Sequence, residues 1–261
     1  MKGDNMNYLT LDIGGSSIKY ALLNETGEFI EKGSTIAPHQ SIEQFVEVIG
    51  ELYDKYAEQI VGMAISMPGA IDPQKGFAYT GGAYKYIKDM EIVKILQERC
   101  PLPITIGNDA KCAANAEVGF GCLKDVDDAA VIILGTGIGG CIVRDGKVHI
   151  GKHFSSGEFS WMRTNGEDGN NPECVWAATN GIPGLLKAVQ ESVGTKEQYN
   201  GKEIFEMANS GDKKVLAGLD KFCNRLAVQI YNLQALFDPE KIAIGGSISA
   251  QPLLLELVEK H

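Results

Sequence analysis

Four groups of residues in this chain have the types and spacing to do chemistry. Asn108 and Asp109 close the apolar run Ile104-Thr105-Ile106-Gly107 and open a helical pattern from about Ala110 to Val118. A carboxylate at such a strand-to-helix junction can take the proton of a hydroxyl. The same aspartate also suits a helix cap, and the local pattern does not choose between the two. Two glycine clusters, Gly14-Gly15-Ser16 just after Asp12 and Gly135-Thr136-Gly137 running on to Gly140, each follow an apolar run. Such turns expose backbone N–H groups free of side-chain obstruction, which suits phosphate oxygens. A third pair, Gly245-Gly246, ends the run Lys241-Ile242-Ala243-Ile244.

Gly135, Gly137 and Gly140 have the G-x-G-x-x-G spacing of a dinucleotide turn, and Glu158 lies 18 residues beyond Gly140, about where a ribose-binding acid belongs. That fingerprint requires the glycines to open a helix. Here Cys141-Ile142-Val143 continues as a strand and reaches the hairpin signal Asp145-Gly146 before Lys147-Val148-His149-Ile150. The elements therefore favour a mononucleotide phosphate over NAD.

The same plan positions the first cluster. Residues 8–13 alternate, the glycine turn follows, and strands at 18–23 and 28–36 complete a meander. Ser41, with Gln44 three residues on, reads as a capping box opening an amphipathic helix that reaches Ile60. Strands follow at 61–66 and 104–106, and a long helix covers 213–237 before Pro239. Two α/β halves, each beginning with a β-hairpin meander, predict a duplicated fold with a cleft between the halves. The boundary falls in the stretch 118–128, giving domains 1–120 and 121–261.

Composition narrows the function. With 44% hydrophobic and 22% charged residues over 261 positions, the chain has the make-up of a soluble globular protein. A net charge of −10 with no basic run argues against nucleic acid. The start lacks a leader pattern and no stretch is long enough to span a bilayer, so a cytoplasmic protein without a membrane partner is expected. The six cysteines form no C-x-x-C pair and read as buried, reduced thiols.

Taken together, LDIGGSSIKYALL (11–23), SMPGAID (66–72), GNDAKCAANAE (107–117), ILGTGIGG (133–140), SGEFSWM (156–162) and IAIGGSIS (242–249) resemble the ROK family of repressors and sugar kinases, in this order and over nearly the whole chain. The resemblance implies two actin-like (ribonuclease H-like) domains, an ATP- and Mg²⁺-dependent phosphotransfer to a small-molecule sugar, and a homodimer. It makes Asp109 the general base and gives sugar hydroxyls to Asn108 and Glu158, with Gly81 and Gly82 bordering the sugar. It places Asp12 near Mg²⁺ through water, with Gly14, Gly15, Ser16, Gly135, Thr136 and Gly137 against phosphates and Gly245 and Gly246 against the adenosine.

Two departures from the family pattern matter. Trp161 stands where most relatives carry a histidine, and only Cys174 remains of their zinc-binding cysteine cluster, so no zinc is expected. Thr80-Gly81-Gly82-Ala83 and Gly157-Glu158-Phe159 look like the β-glucoside kinase branch, in which the indole of Trp161 would offer a flat face to a sugar; a core role for Trp161 is the alternative. Relatives also continue for roughly 30 residues beyond the helix that begins near Gln251. The expected activity is phosphorylation of the 6-hydroxyl of a β-glucoside or of glucose. Glucokinase, another hexose or N-acetylmannosamine kinase, or a non-catalytic sugar binder are the alternatives. A sugar-responsive repressor is disfavoured, because only ten residues precede Leu11.

Overall fold

The computed structural model of the chain describes residues 6–166, 170–195 and 197–261. The chain forms two compact units, Met1–Cys112 and Ala113–His261. The first contains β1 (Asn7–Ile13), β2 (Ser17–Leu23), β3 (Phe29–Ile36), α1 (Ile42–Tyr56), β4 (Ile60–Met67), β5 (Ile71–Asp72), β6 (Phe77–Thr80), β7 (Lys88–Met90), α2 (Ile92–Arg99) and β8 (Ile104–Asn108). The division falls inside the next helix, α3 (Asp109–Phe120), ahead of the glycine and charge run on which the sequence boundary rests.

In the first unit a five-stranded sheet has the order β3-β2-β1-β4-β8, antiparallel across β1–β2–β3 and parallel across β1–β4–β8. Alternation along β1 buries Leu9, Leu11 and Ile13 on one face and leaves Asp12 exposed on the other. Phe45, Ile49, Leu52 and Tyr56 of α1 and Ile92 and Leu96 of α2 complete that core. Ser41 caps α1 by accepting from Gln44 N at 3.3 Å, but Gln44 turns its side chain to Gln40 N rather than to Ser41 N, so only half of the capping box is made. The helix ends at Tyr56 rather than at Ile60, because a tight turn, Gln59 N to Tyr56 O at 2.8 Å, feeds Ile60 into β4. A three-stranded sheet, β5-β6-β7, is inserted before α2.

The second unit continues with β9 (Ala129–Leu134), β10 (Ile138–Arg144), β11 (Lys147–His149), α4 (Trp176–Asn180), α5 (Ile182–Val193), α6 (Gly201–Asn209), α7 (Lys213–Phe237), β12 (Lys241–Gly246) and α8 (Pro252–Glu259). Its sheet order, β11-β10-β9-β12, repeats β3-β2-β1-β4, with the same antiparallel hairpin and the same parallel fourth strand. Both faces are covered. Ala130, Ile132 and Leu134 pack on Leu185, Val189, Leu219 and Phe222 of α5 and α7, while Ala129, Val131 and Cys141 pack on Ala114 and Leu123. Covering on both sides explains why β9 reads as a continuous apolar run. Asp212 caps α7 by accepting from Lys214 N and Val215 N, and Asp238, left-handed at φ 49°, ends it. The duplicated α/β plan expected from the sequence is thus the observed one.

All six cysteines are free: Cys100, Cys141 and Cys223 are buried, Cys112 and Cys174 half-buried, and Cys122 is exposed, unlike the buried thiols expected. No described helix is long and apolar enough to cross a membrane.

Candidate active site

The candidate residues of the first unit gather at the carboxyl ends of β1, β4 and β8. The β1–β2 turn, Gly14 to Ser16, is closed by Gly14 N donating to Ser17 O at 3.0 Å. Its three carbonyl oxygens are all tied back into the unit. Tyr84 Oη donates to Gly14 O at 2.6 Å, His39 Nε2 donates to Gly15 O at 2.7 Å, and Ala37 N donates to Ser16 O at 3.2 Å. In a trans peptide the C=O of one residue points opposite to the N–H of the next. Holding the Gly14 and Gly15 carbonyls inward therefore turns the Gly15 and Ser16 N–H groups outward, and neither has a protein partner among the described residues. A Cβ built on Gly15 meets nothing within 4 Å. The turn is an open, donor-lined concavity suited to an anion.

Asp12 is exposed at the end of β1 and accepts from Ser66 Oγ of β4 at 3.2 Å. Asp109, also exposed, opens α3 and accepts from Ala110 N at 2.8 Å. The thiol of Cys112 reports on both: burial first, then the charges of Asp109 and Asp12, push it up to about 11. The charges of both carboxylates thus reach one sulfur. Asn108, rather than Asp109, makes the longer-range helix cap, accepting from Lys111 N at 3.2 Å while its amide donates to Gly69 O at 3.0 Å. The cap to Lys111 N is thus made by Asn108, while Asp109 accepts from the N–H of its own neighbour Ala110.

Gly81 and Gly82 sit in a turn after β6. A Cβ on Gly81 would meet Ile87 at 2.6 Å; Gly82, at φ 61°, would meet Pro68 at 2.8 Å. Both glycines are required by close packing and backbone conformation, whatever they bind. The turn closes through Tyr84 N to Gly81 O at 3.1 Å, which aims the fully buried Tyr84 ring beneath Gly14. Burial raises the Tyr84 phenol, keeping it a neutral donor.

In the second unit the β9–β10 turn, Gly135 to Gly137, occupies the place that Gly14 to Ser16 holds in the first. The Gly135 carbonyl is tied to Ile182 N at the start of α5 at 2.9 Å, and Thr136 is exposed. A helix N-terminus under such a turn favours negative charge. Segment 157–161 lies across β10: Gly140 must be glycine because a Cβ would strike Phe159 and Gly157 O, and Ser160 Oγ donates to Ile138 O. This fixes half-buried Glu158 near the turn. Trp161, on the same 3₁₀ turn, is 73% exposed, in contrast to Trp176, which is fully buried with its indole bonded to Asn180. Trp161 is therefore not a core residue. Gly246, at φ 101°, runs close to Leu134 O where β12 meets β9, while a Cβ on Gly245 would make only ordinary contacts.

The family assignment rests on comparison with known proteins. Residues 8–261 match the model of the ROK family. The chain belongs to the ROK family. Among ROK relatives, a β-glucoside kinase of Listeria monocytogenes is 30% identical, covering 98% of this chain and 87% of its own. A glucokinase of Halalkalibacterium halodurans is 28% identical over 97% of this chain and 84% of its own. A solved ROK protein of Streptococcus pneumoniae, in complex with sucrose, superposes with a TM-score of 0.84 at 30% identity, over 98% of this chain and 85% of that one.

Sequence reasoning misses Tyr84 and His39, which lie 70 and 24 residues from the carbonyls they hold and carry no motif of their own. The donor set bears on Mg²⁺. Among the described residues no three His, Cys, Asp or Glu side chains converge, but exposed Asp12 beside an anion cradle matches the habit of Mg²⁺, which takes one or two carboxylates plus phosphate oxygens and water.

Proposed function

We propose that this ROK protein is an ATP-dependent sugar kinase acting on the 6-hydroxyl of a β-glucoside. The observation that carries the reading is the first unit's open turn, with outward Gly15 and Ser16 N–H groups beside the exposed carboxylates of Asp12 and Asp109. Asp109 accepts the proton as the sugar oxygen bonds to the γ-phosphorus and the bond from phosphorus to the ADP oxygen breaks. Gly15 and Ser16 bind phosphate oxygens through their N–H groups, while Gly14 closes the turn on Ser17 O; Thr136 and Gly137 are the second unit's phosphate contacts, beside Gly135, whose N–H closes that turn on Gly137 O. Gly245 and Gly246 border the adenosine. Asp12 would hold Mg²⁺, through water, and the ion when bound would neutralise charge at the phosphates.

Gly81, Gly82, Asn108 and Glu158 position the sugar. The exposed indole of Trp161, three residues from Glu158, is an apolar platform suited to the second ring of a β-linked disaccharide. The β-glucoside kinase of Listeria monocytogenes supports this substrate class. A second reading, glucokinase, is favoured by the Halalkalibacterium halodurans relative. The homodimer and cytoplasmic location belong to the same proposal, following the family pattern.

The test is ADP release with Mg-ATP against glucose, cellobiose, gentiobiose, N-acetylmannosamine and fructose. Turnover on the β-linked disaccharides above glucose is expected. Preference for glucose would transfer the assignment to the second reading, and absence of turnover on every sugar would overturn the kinase reading.

A further inference from the structure

The first unit's phosphate-type turn does not shape itself. Its two outward N–H groups are set by peptide planes whose carbonyls are gripped from below by side chains that the reaction does not use. Tyr84 Oη reaches Gly14 O at 2.6 Å and His39 Nε2 reaches Gly15 O at 2.7 Å, and the two rings stack with centroids 5.2 Å apart and planes 18° from parallel. A carbonyl only accepts, so His39 carries its proton on Nε2. Around this pair stand Phe45, whose ring meets Tyr84 edge-on at 5.7 Å, and Tyr86, which donates to Pro38 O at 2.5 Å and so anchors the residue before His39. Tyr84 is fully buried and packed on several sides, so its hydroxyl has little freedom to leave Gly14.

Tyr84 also belongs to the turn that Gly81 and Gly82 build. Its N–H closes that turn on Gly81 O, and its own carbonyl accepts from Ile87 N at 2.9 Å. The segment assigned to the sugar and the turn assigned to phosphate are therefore joined by one tyrosine hydroxyl. A carbonyl released from Tyr84 could rotate outward and present a partial negative charge to a phosphate, replacing attraction with repulsion.

We propose that Tyr84 and His39 are positioning residues that orient the Gly15 and Ser16 N–H groups toward phosphate, and that Tyr84 couples nucleotide affinity to occupancy of the Gly81–Gly82 segment. This rests on the kinase reading of the same turn. Coupling of this kind is reciprocal: sugar tightens nucleotide by the factor by which nucleotide tightens sugar.

The experiment is calorimetric titration of a non-hydrolysable ATP analogue with Mg²⁺, with and without saturating sugar, on the wild type, Tyr84→Phe, His39→Ala and His39→Gln. Tyr84→Phe keeps the ring and removes only the hydroxyl. It should weaken the analogue about five-fold, the cost of one neutral hydrogen bond, and bring the ratio of affinities with and without sugar toward one. His39→Ala should weaken binding similarly, and His39→Gln, which retains an N–H donor, should restore much of it. In turnover the KM for ATP should rise with kcat within two-fold. A purely structural role would instead lower Tm in both His39 variants and leave the sugar ratio intact. Wild-type binding of the analogue with an unchanged constant in Tyr84→Phe would overturn the inference alone. Failure of the wild type to bind the analogue at all would overturn the kinase reading on which it rests, and the inference with it.

Discussion

Replacing Gly15 with alanine separates what the turn needs to fold from what it needs to bind. A Cβ at this position meets nothing within 4 Å and the residue is not in the left-handed region, so the folded state accepts the methyl group without strain. Alanine also restricts the unfolded chain, which stabilises a protein by about 0.4–1 kcal/mol and should raise Tm by about 1–4 °C in a chain of this size. The same methyl would stand over the outward N–H groups, where a phosphate oxygen must approach to about 2.8 Å. Loss of one charge-assisted hydrogen bond costs about 1.5–3 kcal/mol, which raises the KM for ATP about ten- to a hundred-fold. Gly82→Ala is the control, because φ 61° and the contact with Pro68 make that glycine a requirement of folding, and Tm should fall. The assay is thermal denaturation beside ADP release at saturating sugar. An unchanged KM for ATP in Gly15→Ala, with Tm held, would refute the reasoning.

Asp109→Asn should lower kcat by about 10²–10⁴ while leaving sugar KM and Tm nearly unchanged, because Asn108 already supplies the cap to Lys111 N; a variant that keeps most of its turnover would remove Asp109 from the base role. Trp161→Ala should leave Tm unaltered, since the indole is 73% exposed, and raise the KM for cellobiose about three- to ten-fold more than that for glucose; equal effects on both sugars would deny it a second-ring contact. Alkylation of Cys112 should accelerate about tenfold per pH unit until the thiol titrates at about 11, since only the thiolate reacts. Asp109→Asn removes one of the negative charges raising that pKa, so alkylation at pH 8 should quicken, as read by mass spectrometry of the Cys112 peptide; an unaltered rate would mean that the two groups are not close.

The sequence announces most of the framework because its signals are local. Alternation in Tyr8 to Ile13, the following glycines and the apolar run after them define a hairpin without help from the rest of the chain, and Asp145-Gly146 does the same for β10 and β11. The long α7 is legible end to end, from its periodic apolar face to the proline just after it. Helices α5 and α6 escape because the Gly181-Ile182-Pro183-Gly184 start of α5 and the polar stretch between the two read as loop, which masks the apolar face each helix carries. Asn200 and Glu203 nevertheless form a complete capping box, the signal that could have placed α6.

The candidate site divides in the same way. Asp12, Asp109 and the glycines carry motifs, but the glycines are of two kinds that look alike in sequence. Gly15 has open space above it, whereas Gly82 and Gly246 are held at positive φ against neighbouring atoms. Tyr84 and His39 act through tertiary contacts 70 and 24 residues distant and leave no spacing to read. Trp161 is ambiguous by type alone, since indoles serve cores and binding faces equally; its exposure is a property of the fold.

The central claim is that this chain moves the γ-phosphate of ATP to the 6-hydroxyl of a β-glucoside, and phosphorus NMR of a reaction with Mg-ATP and cellobiose tests it most directly. The account predicts one phosphomonoester coupled to the methylene protons at C6 of the non-reducing glucose, formed in step with ADP. A phosphate on another hydroxyl, or ATP consumed only to inorganic phosphate, would contradict it.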